Sequence, residues 1–149
     1  MNIDWQHLFL SFSGRTSKRD FWIGFAALFG AGIVANLLPL IGDVASLALI
    51  YPWTALMAKR LHDFGRSGWL VLMPAIPAAL SGILALYAAL AMGNTATAGA
   101  AFATAGLAVL ISTVALLVGL GFLVWVGTRE GDAGANMYGV PMATSALTA

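Results

Sequence analysis

Cysteine is absent from this chain, and charge nearly so: seven basic and six acidic residues are spread over 149 positions, 9% of the total. Without cysteine there is no disulfide, no thiolate nucleophile and no thiolate metal site. So few charges cannot cover the surface of a water-soluble domain, which uses about a quarter of its residues for that purpose. A net charge of +1 gives no electrostatic footprint for nucleic acid, and the basic residues are clustered rather than spread along a face. Histidine is nearly missing as well. His7 and His62 are the two present, too few for a zinc or di-iron set, so no metal and no cofactor is expected. The serine in "GRSGW" has its glycines at the wrong offsets for a hydrolase elbow, and no catalytic residue is assigned.

What the chain does have is long uncharged runs, and 60% of its residues are hydrophobic. Phe21 to Gly42 and Val44 to Ala58 carry no charge, and neither do the 62 residues from Ser67 to Thr128. At about 20 residues per crossing, the last run holds two helices and a turn, placed at "GNTATAG". The expected architecture is an all-α integral membrane bundle in one domain. Its spans lie near 21–38, 44–59, 69–92 and 99–126, with "PLIGD" as the first turn. The second span is the weakest: its 15 uncharged residues reach only about 22 Å, and it contains Pro52.

Lysine and arginine are distributed three before the first span, three between the second and third, one after the fourth, and none in the other two connections. By the positive-inside rule, both termini and the Lys59 to Gly68 loop are cytoplasmic, leaving Asp43 as the single charge outside. Cleavage of the first span as a signal peptide at "VASLA" is disfavoured. The run is longer than a signal core and follows 20 polar or amphipathic residues. In that lead-in, Trp5, Leu8, Phe9 and Phe12 have helical spacing, which suits an interfacial helix or an irregular segment anchored by its aromatics.

Three polar stretches fall on the inner side: "SGRTSKRDFW", "KRLHDFGRSGW" and "GTREGDAGANMYGV". Together they resemble a family of bacterial inner-membrane proteins, the domain of unknown function 805. The matching positions are Gly14, Arg15, Phe21 and Trp22; then Arg60 to Asp63, Gly65, Ser67, Gly68 and Trp69; then Gly134, Asn136, Tyr138 and Gly139. The chain departs from the pattern at Lys18 and Lys59, where arginine is usual, and at Phe64 and Leu70. Lysine lacks the bidentate fork that clamps a carboxylate or phosphate. The resemblance implies membership and topology, and supplies no activity.

Read from the residues, "RLHDFGRSGW" is a helix end, a tight turn and a new helix start. Gly65 takes the left-handed position, Ser67 caps, and Trp69 anchors at the interface. Asp20, Asp63, Glu130 and Asp132 can balance Arg15, Arg19, Arg60 and Arg66 in a knot that ties the inner segments together. Alternatively, Arg15, Arg60 and Arg66, with Lys18 and Lys59 as point charges, form a basic pocket for an anionic lipid headgroup. Asn136 and Tyr138 are expected to hydrogen-bond the Lys59 to Gly68 loop, and the final "MATSALTA" reads as a disordered tail.

The leading expectation is a nonenzymatic inner-membrane protein that binds an anionic phospholipid or a protein partner through a cap formed by Arg15, Arg19, Lys59, Arg60, His62, Asp63 and Arg66. A small oligomeric transporter for an apolar or weakly polar solute comes second. A lipid-modifying enzyme using His62 and Asp63 comes third.

Overall fold

The computed structural model describes residues 3–38, 42–92 and 96–141. Most of the first turn, the side chain of Asp43, the start of "GNTATAG" and the terminal "MATSALTA" lie outside the described residues. Helices cover each uncharged run: α1 (Trp5–Leu10), α2 (Lys18–Asn36), α3 (Gly42–Asp63), α4 (Leu72–Ala91) and α5 (Ala98–Thr128), with a 3-10 turn at Gly68–Val71. No strand occurs among the described residues; one isolated bridge joins Asn136 and Gly139.

Local chemistry sets the helix ends. The Asp4 carboxylate caps α1 by accepting from the His7 amide at 2.9 Å. α2 begins three residues before its expected start because Ser17 caps it, accepting from the Asp20 amide at 3.1 Å. Asp20 then sits in the first turn, where the helix dipole favours a carboxylate. α3 runs four residues past Lys59 and stops where Gly65 turns left-handed, at φ 68°. There the Arg66 amide donates to Leu61 O and the Gly65 amide to His62 O, the paired bonds of a Schellman end. Ser67 only weakly caps the next element, accepting from the Trp69 amide at 3.4 Å.

Two compact units emerge: residues 1–71 with 125–149, and residues 72–124. In the first, α2 packs along α3, and α1 lies against α3 with Leu8 buried. The core lies toward the end of α3 and includes Phe21, Leu28, Leu56, Leu61, Phe64 and Val126. The second unit comprises α4 and most of α5, and among its described residues the buried ones are all small. Ser81 and Ala88 are seven residues apart on α4, as are Ala101, Ala108 and Ala115 on α5. Seven is the repeat of a two-helix seam, and small side chains let backbones approach closely. The Thr97 hydroxyl donates to Ala91 O at 2.9 Å near the turn, and Gly119 lies opposite Pro74 farther along, as in an antiparallel hairpin.

Two helical stretches, Gly68–Ala91 and Ala98–Thr128, are long and apolar enough to cross a membrane. α2 and α3 carry more polar side chains at the end where the core lies.

Candidate functional site

The three polar motifs meet around one carboxylate. Asp63, the last residue of α3, is almost fully buried. Arg15 donates to it through Nε at 3.0 Å, and Arg60, one turn earlier on α3, donates through Nη1. Arg15 is 3% exposed and Arg60 0%.

Each guanidinium then engages backbone oxygens. Arg15 Nη1 donates to Gly134 O at 2.7 Å and Gly139 O at 3.3 Å. Its Nη2 donates to Asp63 O at 2.9 Å and Asp132 O at 2.6 Å. All five N–H groups of Arg15 are therefore used, binding the segment before α2, the end of α3 and the segment after α5 at one point. Arg60 Nε donates to Val126 O at 3.2 Å, Nη1 also to Thr16 O, and Nη2 to Arg129 O.

Lys59 is also fully enclosed, its ammonium donating to His7 O. Three buried cations against one buried carboxylate would be costly alone. The acceptors offset this, because several belong to the C-terminal ends of α3 and α5, where helix dipoles present negative charge.

The segment after α5 closes over this centre. The Asp132 amide donates to Asp63 O at 2.8 Å, and the backbone of Gly131 lies so close that a Cβ there would land on the Asp63 carboxylate. Asn136 Nδ2 donates to His62 O and to Asp132 Oδ2, each at 2.9 Å, and its own Oδ1 accepts from the Tyr138 amide. Tyr138 reaches the loop by stacking rather than by the expected hydrogen bond: its ring lies flat on that of His62, with centroids 3.8 Å apart and planes at 6°.

His62 Nδ1 lies 3.2 Å from the carbonyl oxygen of Gly14, another motif glycine with positive φ. Burial pushes the imidazole below its ordinary value of 6.5, partly countered by that backbone contact. Gly68 meets the His62 ring so closely that a Cβ would stand 3.1 Å from Nε2.

At the edge, Lys18 pairs with Glu130 at 2.6 Å, both partly open to solvent, and this pairing holds the Glu130 carboxyl below its usual range. Trp22 Nε1 donates to Gly127 O at 3.0 Å. The Arg129 guanidinium lies over the Phe64 and Trp125 rings, 5.4 and 6.0 Å from their centroids. Arg19, Arg66 and Trp69 are exposed.

Arg15, Lys59 and Arg60 thus point inward to the chain's own oxygens, against the expectation that they present charge to a headgroup. Sequence reasoning missed Gly127 and Gly131, whose value is the space they leave, and Tyr51, whose hydroxyl donates to Leu10 O at 3.0 Å. The glycine-rich "GTREGDAG" was the only signal for the first two. No pattern marked Tyr51.

Comparison with known proteins agrees with the motifs. The family model described as "Protein of unknown function (DUF805)" matches residues 37–140. The Uncharacterized protein YiiR of Escherichia coli strain K12, and its counterpart in the O157:H7 strain, are each 40% identical over 76 residues. That match covers 46% of this chain and 52% of the relative, so the chain spans about half the length of the curated relatives it matches. No solved structure matches the chain.

Proposed function

The chain belongs to the DUF805 family, and from that premise we propose that it is a multi-pass protein of the bacterial inner membrane whose cytoplasmic cap binds anionic phospholipid headgroups without catalysing a reaction. The spans are those near 21–38, 44–59, 69–92 and 99–126, with both termini inside. Supporting this are the helices over all four expected spans, the two stretches apolar enough to cross, and the one-sided distribution of lysine and arginine.

The observation that carries the headgroup reading is a division among the cations. Arg15, Lys59 and Arg60 are enclosed and hold the cap together. Arg66 is exposed, and its side chain makes no hydrogen bond among the described residues; Arg19 and Arg129 are exposed on the same unit. A rigid interior under a basic rim suits an anionic surface, where each such residue contributes about 1 kcal/mol. His62 is turned to Gly14 O and covered by Tyr138, an arrangement that favours holding the cap over chemistry on a lipid.

The test is retention of anionic lipid by the protein released from nanodiscs of mixed charge, read by native mass spectrometry for wild type and an Arg19→Ala, Arg66→Ala double variant. Loss of about 2 kcal/mol corresponds to roughly 30-fold weaker retention. Equal retention by both proteins would remove the headgroup reading.

A further inference from the structure

α1 is too short to be a span, and its position is informative. Leu8 packs into the α2–α3 groove beside Leu56, where Gly24 leaves room: a Cβ there would meet the Leu8 side chain at 3.2 Å. His7 O accepts from Lys59, whereas Leu10 O accepts from the Tyr51 hydroxyl, and the Phe12 ring meets the Tyr51 ring edge-on at 5.2 Å. Tyr51 and Lys59 are eight residues apart on α3, or about 12 Å along its axis. The chain from His7 to Phe12 therefore climbs along α3, away from the Asp63 centre. After Phe12 it returns, and Gly14 and Arg15 are back at the level of His62 and Asp63.

The four residues expected on one stripe are split by this packing. Leu8 faces inward, while Trp5 is exposed and Phe12 lies beyond the helix end at 42% exposure; Leu10, outside the stripe, is 63% exposed. Several polar atoms of the segment are tied down locally, while the Gln6 side chain is exposed. The Asp4 carboxylate takes the His7 amide, Tyr51 takes the last helical carbonyl, and the Ser11 hydroxyl serves both the Ser13 amide and its hydroxyl. Apolar side chains outward, with the carbonyls of His7 and Leu10 taken up within the protein, suit immersion in hydrocarbon, where an unpaired backbone group is costly. The exposed edge also continues onto the outward face of α3, through Tyr51, Ile50 and Leu47.

We infer that residues 5–13 form a re-entrant wedge seated among the acyl chains of the inner leaflet, with Trp5, Leu10 and Phe12 facing lipid, rather than a strip lying flat at headgroup level. The inference rests on the four-span reading, in which Lys59 marks the inner boundary of the second span. It also accounts for a fully enclosed lysine at that boundary: α1, not lipid, covers this part of α3.

The chain contains no cysteine, so single-cysteine variants carry one nitroxide label each without background substitutions. Labels at Leu10→Cys and Phe12→Cys, in the full-length protein in phosphatidylglycerol/phosphatidylethanolamine vesicles, are compared with exposed reference positions: Ile83→Cys on α4 and Met137→Cys in the tail. Relaxation by molecular oxygen and by a water-soluble nickel chelate reports depth. The wedge requires labels at 10 and 12 to match 83, with an oxygen-to-nickel accessibility ratio at least severalfold above that at 137.

A ratio at 10 and 12 equal to that at 137, with 83 still shielded from nickel, overturns the wedge and leaves the spans standing. Low accessibility to both reagents means that a second copy or another protein covers the face, and overturns it equally. Nickel access at 83 itself defeats the span reading, and the wedge with it. Two label sites, each checked by thermal melting, keep one misfolded variant from deciding the result.

Discussion

The two units of this chain solve packing in opposite ways. Leu72–Val124 contains no charged residue, and its buried positions are Ser81, Ala88, Ala101, Ala108 and Ala115. Leucines and isoleucines such as Ile83, Leu86 and Leu117 stand outward. The other unit holds all thirteen charges and most of the aromatics, and it buries Arg15, Lys59, Arg60 and Asp63 together with Phe21 and Leu56. In a bilayer, apolar side chains gain nothing by leaving lipid, which fits a unit whose buried positions are small and whose large side chains stand outward. Where water is present, ion pairs, backbone acceptors and burial of large side chains all contribute.

The comparison breaks most sharply at Asp63. Asp63→Ala removes the carboxylate shared by two buried guanidiniums, and such removals cost about 3–5 kcal/mol. A large fall in melting temperature in detergent is expected. Ser81→Ala, the matching loss of a buried polar group in the apolar unit, removes only a bond to Ala78 O within the same helix and should shift melting by far less.

Overpacking is the converse probe. Ala108→Leu, in the seam where Ala108 is 4% exposed, should destabilise by about 1–3 kcal/mol, whereas leucine at the open Gly106 position should not. A seam that accepts leucine at 108 would show that small residues are not what holds the hairpin.

The next effect is smaller and confined to the cap. Asn136→Ala leaves His62 O without its side-chain donor and should cost about 1–2 kcal/mol.

Acidification probes the same residue through its ring. The folded state holds His62 neutral with its pKa below 6.5, so this contribution is complete above that pH and is lost as pH falls below it. The pH dependence of melting between pH 7 and 5 should therefore flatten in His62→Gln. Unchanged dependence would assign the acid sensitivity to another group. The smallest effect concerns Thr16, whose Oγ1 is buried with no hydrogen-bond partner among the described residues. Thr16→Val should be neutral or slightly stabilising in melting experiments, since no bond is lost.

Much of the fold could be read from charge spacing, because hydrocarbon excludes charge wherever it occurs and leaves uncharged runs in the sequence. The helix over each run followed from that. The early start of α2 at Lys18 did not, since the Ser17 cap is a local hydrogen bond that hydropathy does not register. Gly65 was legible as a helix stop because left-handed backbone selects glycine, and His62, Asp63 and Arg60 stood out by their rarity.

What the sequence determined by itself is the set of helices over the uncharged runs, the clustering of basic residues in three segments, and the membership carried by three motifs. Only the tertiary structure decided which cations face inward. A guanidinium reads the same in a sequence whether it meets solvent, lipid phosphate or a buried carboxylate. Arg15 and Arg60 are distinguished from Arg66 by the backbone oxygens that Asp132, Gly134, Gly139, Val126 and Arg129 bring to them from distant parts of the chain.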